Sequence, residues 1–119
     1  MESTELRIGN LVYFTNEVVE VIIIDGYHVS LKNAGNLIID EPLTGEVHPI
    51  PLTEDKLVEF GFEVRKTIMS AAYEKNGFII YLSEYKNPNK FELGLDEDVV
   101  IEYVHTLQNL YYALKQEEL

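Results

Sequence analysis

The sequence predicts an α+β protein: an N-terminal small SH3-like β-barrel, a short connecting helix, and an antiparallel β-meander with a packed C-terminal helix. Three observations carry that reading. Short runs rich in β-branched and aromatic residues, separated by tight turns, fill residues 5–52. Asn76-Gly77, the strongest hairpin signal in the chain, stands between two more such runs. From about Tyr103, apolar residues recur at spacings of three and four, the period of an amphipathic helix.

In the N-terminal half, Leu11-Val12-Tyr13-Phe14 is the first strand and Glu17 to Ile24 the second. Asp25-Gly26 follows as a type I′ hairpin signal, and Tyr27 to Lys32 alternates as the third strand. That register sets Ile24 opposite Tyr27 and Ile22 opposite Val29. Asn33-Ala34-Gly35-Asn36 is a turn, Leu37-Ile38-Ile39 a fourth strand, and Leu43-Thr44-Gly45-Glu46 another turn. Val47 to Leu52 is extended, because Pro49 and Pro51 push the residues before them out of the helical region. Those prolines suit an edge strand.

The connecting helix, over residues 54–60, is fully punctuated. Thr53 is its N-cap, and Glu54 and Asp55 favour the positive end of the helix dipole. Leu52 and Leu57 occupy the two positions of a hydrophobic staple. Gly61 follows as the C′ residue, and Phe62 is placed to close a Schellman contact onto Leu57.

Val64 to Lys75 reads as a strand interrupted by Ser70-Ala71-Ala72. The Asn76-Gly77 turn then sets Lys75 opposite Phe78 and Tyr73 opposite Ile80. Phe78-Ile79-Ile80-Tyr81-Leu82 is apolar on both faces, as a central strand under the terminal helix would be. Asn87-Pro88-Asn89 turns into Phe91-Glu92-Leu93-Gly94-Leu95, and Asp96-Glu97-Asp98 reads as a carboxylate-rich turn before the last helix. That helix starts near Glu102 or Tyr103. Tyr103, Val104, Leu107, Leu110, Tyr111 and Leu114 form its core stripe. His105, Gln108, Asn109 and Tyr112 form a second band, about 100° to 200° round the wheel. Two readings of that band stand: its side chains hydrogen-bond to the N-terminal lobe and lock the halves together, or they form a partner-binding face.

With 119 residues and no repeat or linker, the chain is expected to be a single compact domain, 1–119, with sub-lobes at 5–52 and 53–119. At 46% apolar and 25% charged residues it has the balance of a soluble globular protein. The absence of cysteine removes disulfides, thiolate catalysis and Cys-based zinc sites. Met1 to Glu5 is polar and acidic, unlike a secretory signal, and no apolar run approaches the length needed to cross a bilayer. A cytoplasmic protein is expected. The net charge is −12, spread over both halves, and Arg65-Lys66 is the only adjacent basic pair. Nucleic acid and anionic membrane are therefore poor partners, since binding phosphate needs clustered Lys and Arg.

The chemistry-bearing residues do not assemble into a motif. His28, His48 and His105 lack helical metal-ligand spacing. The serines lack a nucleophile elbow, and the glycines are scattered one per turn instead of forming a phosphate loop. Asp96-Glu97-Asp98 lacks the alternating acids and central glycine of an EF-hand loop. No catalytic residue, metal or cofactor is expected. Of the eight tyrosines, Tyr112 stands out because it falls off the apolar stripe beside His105, Gln108 and Asn109.

Glu5-Leu6-Arg7-Ile8-Gly9-Asn10, Pro49-Ile50-Pro51-Leu52-Thr53-Glu54 with Phe60-Gly61-Phe62, and Tyr103 to Leu114 together resemble a family of small uncharacterised proteins from gut Bacteroidetes, encoded in prophage-like or mobile regions. The tail Lys115-Gln116-Glu117-Glu118-Leu119 departs from a Thr-Gly that such proteins often show there. The resemblance carries over no established activity and no catalytic residue. It implies a phage-type accessory protein. The expected function is a non-enzymatic interaction or adaptor protein binding an unknown protein partner through His105, Gln108, Asn109 and Tyr112. The alternative is an acidic decoy that mimics DNA and binds a nucleic-acid-binding protein.

Overall fold

The strand-like runs of the first half form one antiparallel sheet. A computed structural model describes residues 5–26, 28–42, 46–66, 70–83, 91–93 and 96–119, with the backbone alone for Pro42, Ser83 and 96–99. β1 (Leu11–Phe14), β2 (Glu17–Asp25), β3 (His28–Lys32), β4 (Ile38–Pro42) and β5 (Val47–His48) pair in the order β4-β3-β2-β1-β5. Their alternation buries Val12, Val19, Val21, Val29, Leu31 and Val47 with Leu6 as one core.

Two details of this sheet differ from expectation. Ile24 pairs with Val29 and Asp25 with His28, so β2 runs one residue further and the turn follows Asp25. A bulge between Val21 and Ile23 accompanies the shift. It reverses the side-chain parity, so Val21 and Ile24, three residues apart, both reach the same core. The contact expected at Tyr27 lies outside the described residues, as do the turns at Leu43-Thr44-Gly45 and Asn87-Pro88-Asn89.

The second difference is the barrel. Among the described residues no closed barrel is found; the sheet is open, with β4 and β5 at its edges. β5 is only two residues long because Pro49 and Pro51 cannot donate to a ladder. Residues 50–52 instead leave for the other half of the molecule. Leu52 N–H donates to the Glu102 carbonyl at 2.9 Å, and Val104 N–H donates to the Ile50 carbonyl at 2.8 Å.

The connecting helix, α1 (Glu54–Glu59), is built as its punctuation predicts. Thr53 Oγ1 accepts from Lys56 N–H. Gly61 has φ +90. Gly61 N–H donates to Val58 and Phe62 N–H to Leu57, the paired bonds of a Schellman motif. Leu52, Leu57 and Phe62 are all buried in the second core.

β6 (Glu63–Lys66), β7 (Ser70–Lys75), β8 (Phe78–Ser83), β9 (Phe91–Leu93) and β10 (Asp96–Ile101) form a complete antiparallel meander, ordered β10-β9-β8-β7-β6. The segment from Val64 to Lys75 is thus a strand pair and not one interrupted strand. Ser70, Ala71 and Ala72 lie within β7, where Ala71 is buried and Tyr73 fills the core beside it. Asn76 and Gly77 have φ +51 and +80 and join Lys75 to Phe78, with Tyr73 opposite Ile80. Asp96-Glu97-Asp98 is a second correction: its backbone is strand, because the β-branched Val99-Val100-Ile101 carries the ladder onto β9.

α2 (Val104–Lys115) has Tyr103 as its N-cap, as the wheel argument requires, but no side chain caps it. Its first N–H is satisfied by Ile50 instead. Val104, Leu107 and Tyr111 pack on Phe78, Ile80 and Ile101 of the second sheet. The expected stripe is too wide at both ends: Tyr103 is 36% and Leu114 57% exposed. The buried arc is rotated toward Gln108 and His105, because a second surface covers the helix on that side. The radius of gyration is 15.0 Å, against about 13.5 Å for a globule of this length. The molecule is accordingly elongated, 45 × 25 × 25 Å, with one core in each sheet.

Candidate functional site

The surface covering α2 is the segment leading into β1. Gly9 (φ +99) and Asn10 turn the chain there: Asn10 N–H donates to the Arg7 carbonyl and Asn10 Oδ1 accepts from Arg7 N–H at 2.7 Å. Asn10 is fully buried. Its amide nitrogen donates to Asn109 Oδ1 at 2.8 Å. Asn109 Nδ2 donates in turn to the Glu5 carbonyl at 2.9 Å. Gln108, also buried, accepts from Leu11 N–H at 2.8 Å and donates to the Gly9 carbonyl at 3.3 Å. Buried amides with both ends engaged join the two sheets through one seam.

Tyr112 lies at the outer end of that seam. The Arg7 guanidinium stacks over its ring at 4.2 Å and grips Glu118 with both amino groups, at 2.6 and 2.8 Å. The ring remains 42% exposed. Thus Gln108, Asn109 and Tyr112 each contact residues 5–11.

His105 faces another way. It stacks on Tyr103, with ring centroids 5.9 Å apart and planes 12° from parallel. Its Nε2 is 3.8 Å from Glu5 Oε2, too long for a hydrogen bond. Burial pushes the imidazole pKa below its ordinary value, and the Glu5 carboxylate opposes that shift. The ring is therefore neutral near pH 7. Its Nδ1 is buried with no hydrogen-bond partner among the described residues.

Beside this ring an open groove of about 630 Å³ runs along α2. Val100, Ile101, Leu110 and Ala113 give it apolar walls, and Tyr103, His105, Thr106, Asn109 and Glu5 supply its polar groups. Val100 is 36% exposed there, as is Tyr103. The volume is that of a site for a drug-sized ligand or a few anchoring side chains.

Of the four residues singled out by sequence, His105 lines the groove, Gln108 and Tyr112 belong to the seam, and Asn109 belongs to both. Sequence reasoning missed Val100, Glu5, Arg7 and Asn10. Arg7 carried a usable signal, being the only Lys or Arg before Lys32 in a strongly acidic chain. Both members of Arg65-Lys66 are matched by carboxylates: Arg65 by Glu74 at 3.2 Å and Lys66 by Glu54 at 2.8 Å. Among the described residues, no group of three or more His, Asp or Glu converges as a metal-ligand set, and no helix is long and apolar enough to cross a membrane. No protein-family model matches the chain, and no curated protein or solved structure matches it.

Proposed function

We propose that this chain is a non-enzymatic interaction protein of a prophage or mobile element, acting in the cytoplasm, which docks a protein partner in the groove along α2. The observation that carries the reading is the groove itself. Apolar groups of a strand and a helix flank it, Val100 and Tyr103 stay partly exposed, and polar side chains stand at its edge. Exposed apolar surface rimmed by polar groups is the common form of a docking site. The seam supports the reading by holding α2 rigid, so the groove is presented without an ordering cost.

Affinity capture from the native host, read by mass spectrometry, tests this with wild type and Ala113→Tyr side by side. Ala113 is exposed, so the added ring fills the groove without disturbing the core. A protein retained by wild type and lost by the variant, at equal melting temperature, is the expected result. Equal capture by both would refute the groove. A partner that ignores the substitution but is released by salt would favour the acidic decoy instead.

A further inference from the structure

We infer that the occupant of the α2 groove is a basic, apolar-anchored peptide segment of the partner protein, its apolar side chains against Val100, Leu110 and Ala113 and a Lys or Arg at Glu5. The inference rests on the docking role proposed above and adds the partner's chemistry. The charge is one-sided. Glu5, half-exposed at the rim, is the only charged residue lining the groove among the described residues. The strand that ends in Val100 and Ile101 carries Asp96, Glu97 and Asp98 in its backbone. Among the described residues no Lys or Arg lines the groove, and the whole chain carries −12. A cationic segment is steered to such a surface, and an acidic one is repelled.

Shape favours a peptide over a small cation. From Tyr103 to Ala113 the groove follows the helix for ten residues, about 15 Å at 1.5 Å per residue. It is open along that length, so successive side chains of a bound segment can enter it while its polar side stays in water. Helix-in-groove recognition places anchors at i, i+3 or i+4 and i+7, a span of about 10 Å that this length accommodates. His105 supplies a built-in reporter, since a cation arriving at Glu5 removes the charge that raises its pKa.

The test selects a display library of random 12-residue peptides on the wild-type protein, with Ala113→Tyr as the counter-target. The expected pool carries net positive charge and is enriched in Lys or Arg together with Leu, Phe, Trp or Met. The best peptide, synthesised, should move the NMR signals of Val100, Tyr103, Thr106, Leu110 and Ala113 and shift the His105 titration downward. Glu5→Lys should weaken it about tenfold. Selected peptides that are neutral or acidic yet lost on Ala113→Tyr would overturn the basic partner and leave the docking role standing. Peptides that map outside the groove, or a pool no richer than that on Ala113→Tyr, would overturn both.

Discussion

Replacing Gln108 with Met removes both polar ends of one side chain while nearly keeping its volume. In the native protein its Oε1 accepts from Leu11 N–H at 2.8 Å, and its Nε2 donates to the Gly9 carbonyl at 3.3 Å. The thioether can replace neither bond. A buried backbone donor left unpaired costs about 1–3 kcal/mol. The bond to Gly9 adds less, because at 3.3 Å it is already beyond the usual N–H···O distance. With an unfolding entropy of about 2.1 cal/mol/K per residue, 119 residues give about 0.25 kcal/mol/K, so each kcal/mol lowers the melting temperature by about 4 °C. Gln108→Met should therefore melt about 4–12 °C lower. Gln108→Ala should lose roughly a further 0.8 kcal/mol per buried methylene. Urea titration and amide hydrogen exchange check this. In wild type, exchange at Leu11 should be protected; in the Met variant that protection should fall before that of Val19 or Leu31. A Met variant with an unchanged melting temperature and a protected Leu11 amide would refute the seam.

Three further outcomes are expected. The folded-state pKa of His105 lies below 6.5, so the unfolded chain binds the proton first; stability from this residue is present above 6.5 and falls as pH drops toward the folded pKa, which NMR titration and melts between pH 7 and 5 would show, with Glu5→Gln lowering that pKa further. Gly77→Val should destabilise by about 1 kcal/mol or more, since a β-branched residue resists the φ of +80 there, and an unchanged melting temperature would count against the turn. Duplex and single-stranded DNA should show no shift in a gel assay near physiological salt, given the charge of −12 and the carboxylates on Arg65 and Lys66; a micromolar shift would defeat the charge argument.

Elements closed by local chemistry were legible in the sequence. Thr53, Leu57, Gly61 and Phe62 specify α1 through contacts no more than five residues apart, and Asn76-Gly77 fixes its register within one turn. What escaped depends on distant partners. Asp96-Glu97-Asp98 has the composition of a turn and becomes strand only because β9 lies alongside. The bulge in β2 is invisible until the core is known to need both Val21 and Ile24. The wheel of α2 separated an apolar stripe from a polar band, yet could not show that both would be covered. For Gln108 the sequence left burial against the N-terminal lobe and an exposed face both open, and it gave no partner; Gln108 and Asn10 are buried because each amide finds its complement about a hundred residues away. The groove was missed for the same reason, since Val100 and Ala113 belong to different elements.

That distance has a consequence for how the chain folds as it is made. β1 to β4 pair as successive neighbours in sequence, with β1 also taking β5 on its other side, so most of these hydrogen bonds close short loops and can form early. The bond between Gln108 and Leu11 spans 97 residues, and that between Arg7 and Glu118 spans 111. During synthesis the first sheet must therefore wait, with Asn10 and the Leu11 N–H solvated, until α2 has been translated. At roughly 5–20 residues per second the delay is several seconds, long compared with hairpin formation. Closing the seam is then the last step of assembly, and damage there should leave a protein whose halves are each folded and still joined through residues 50–52.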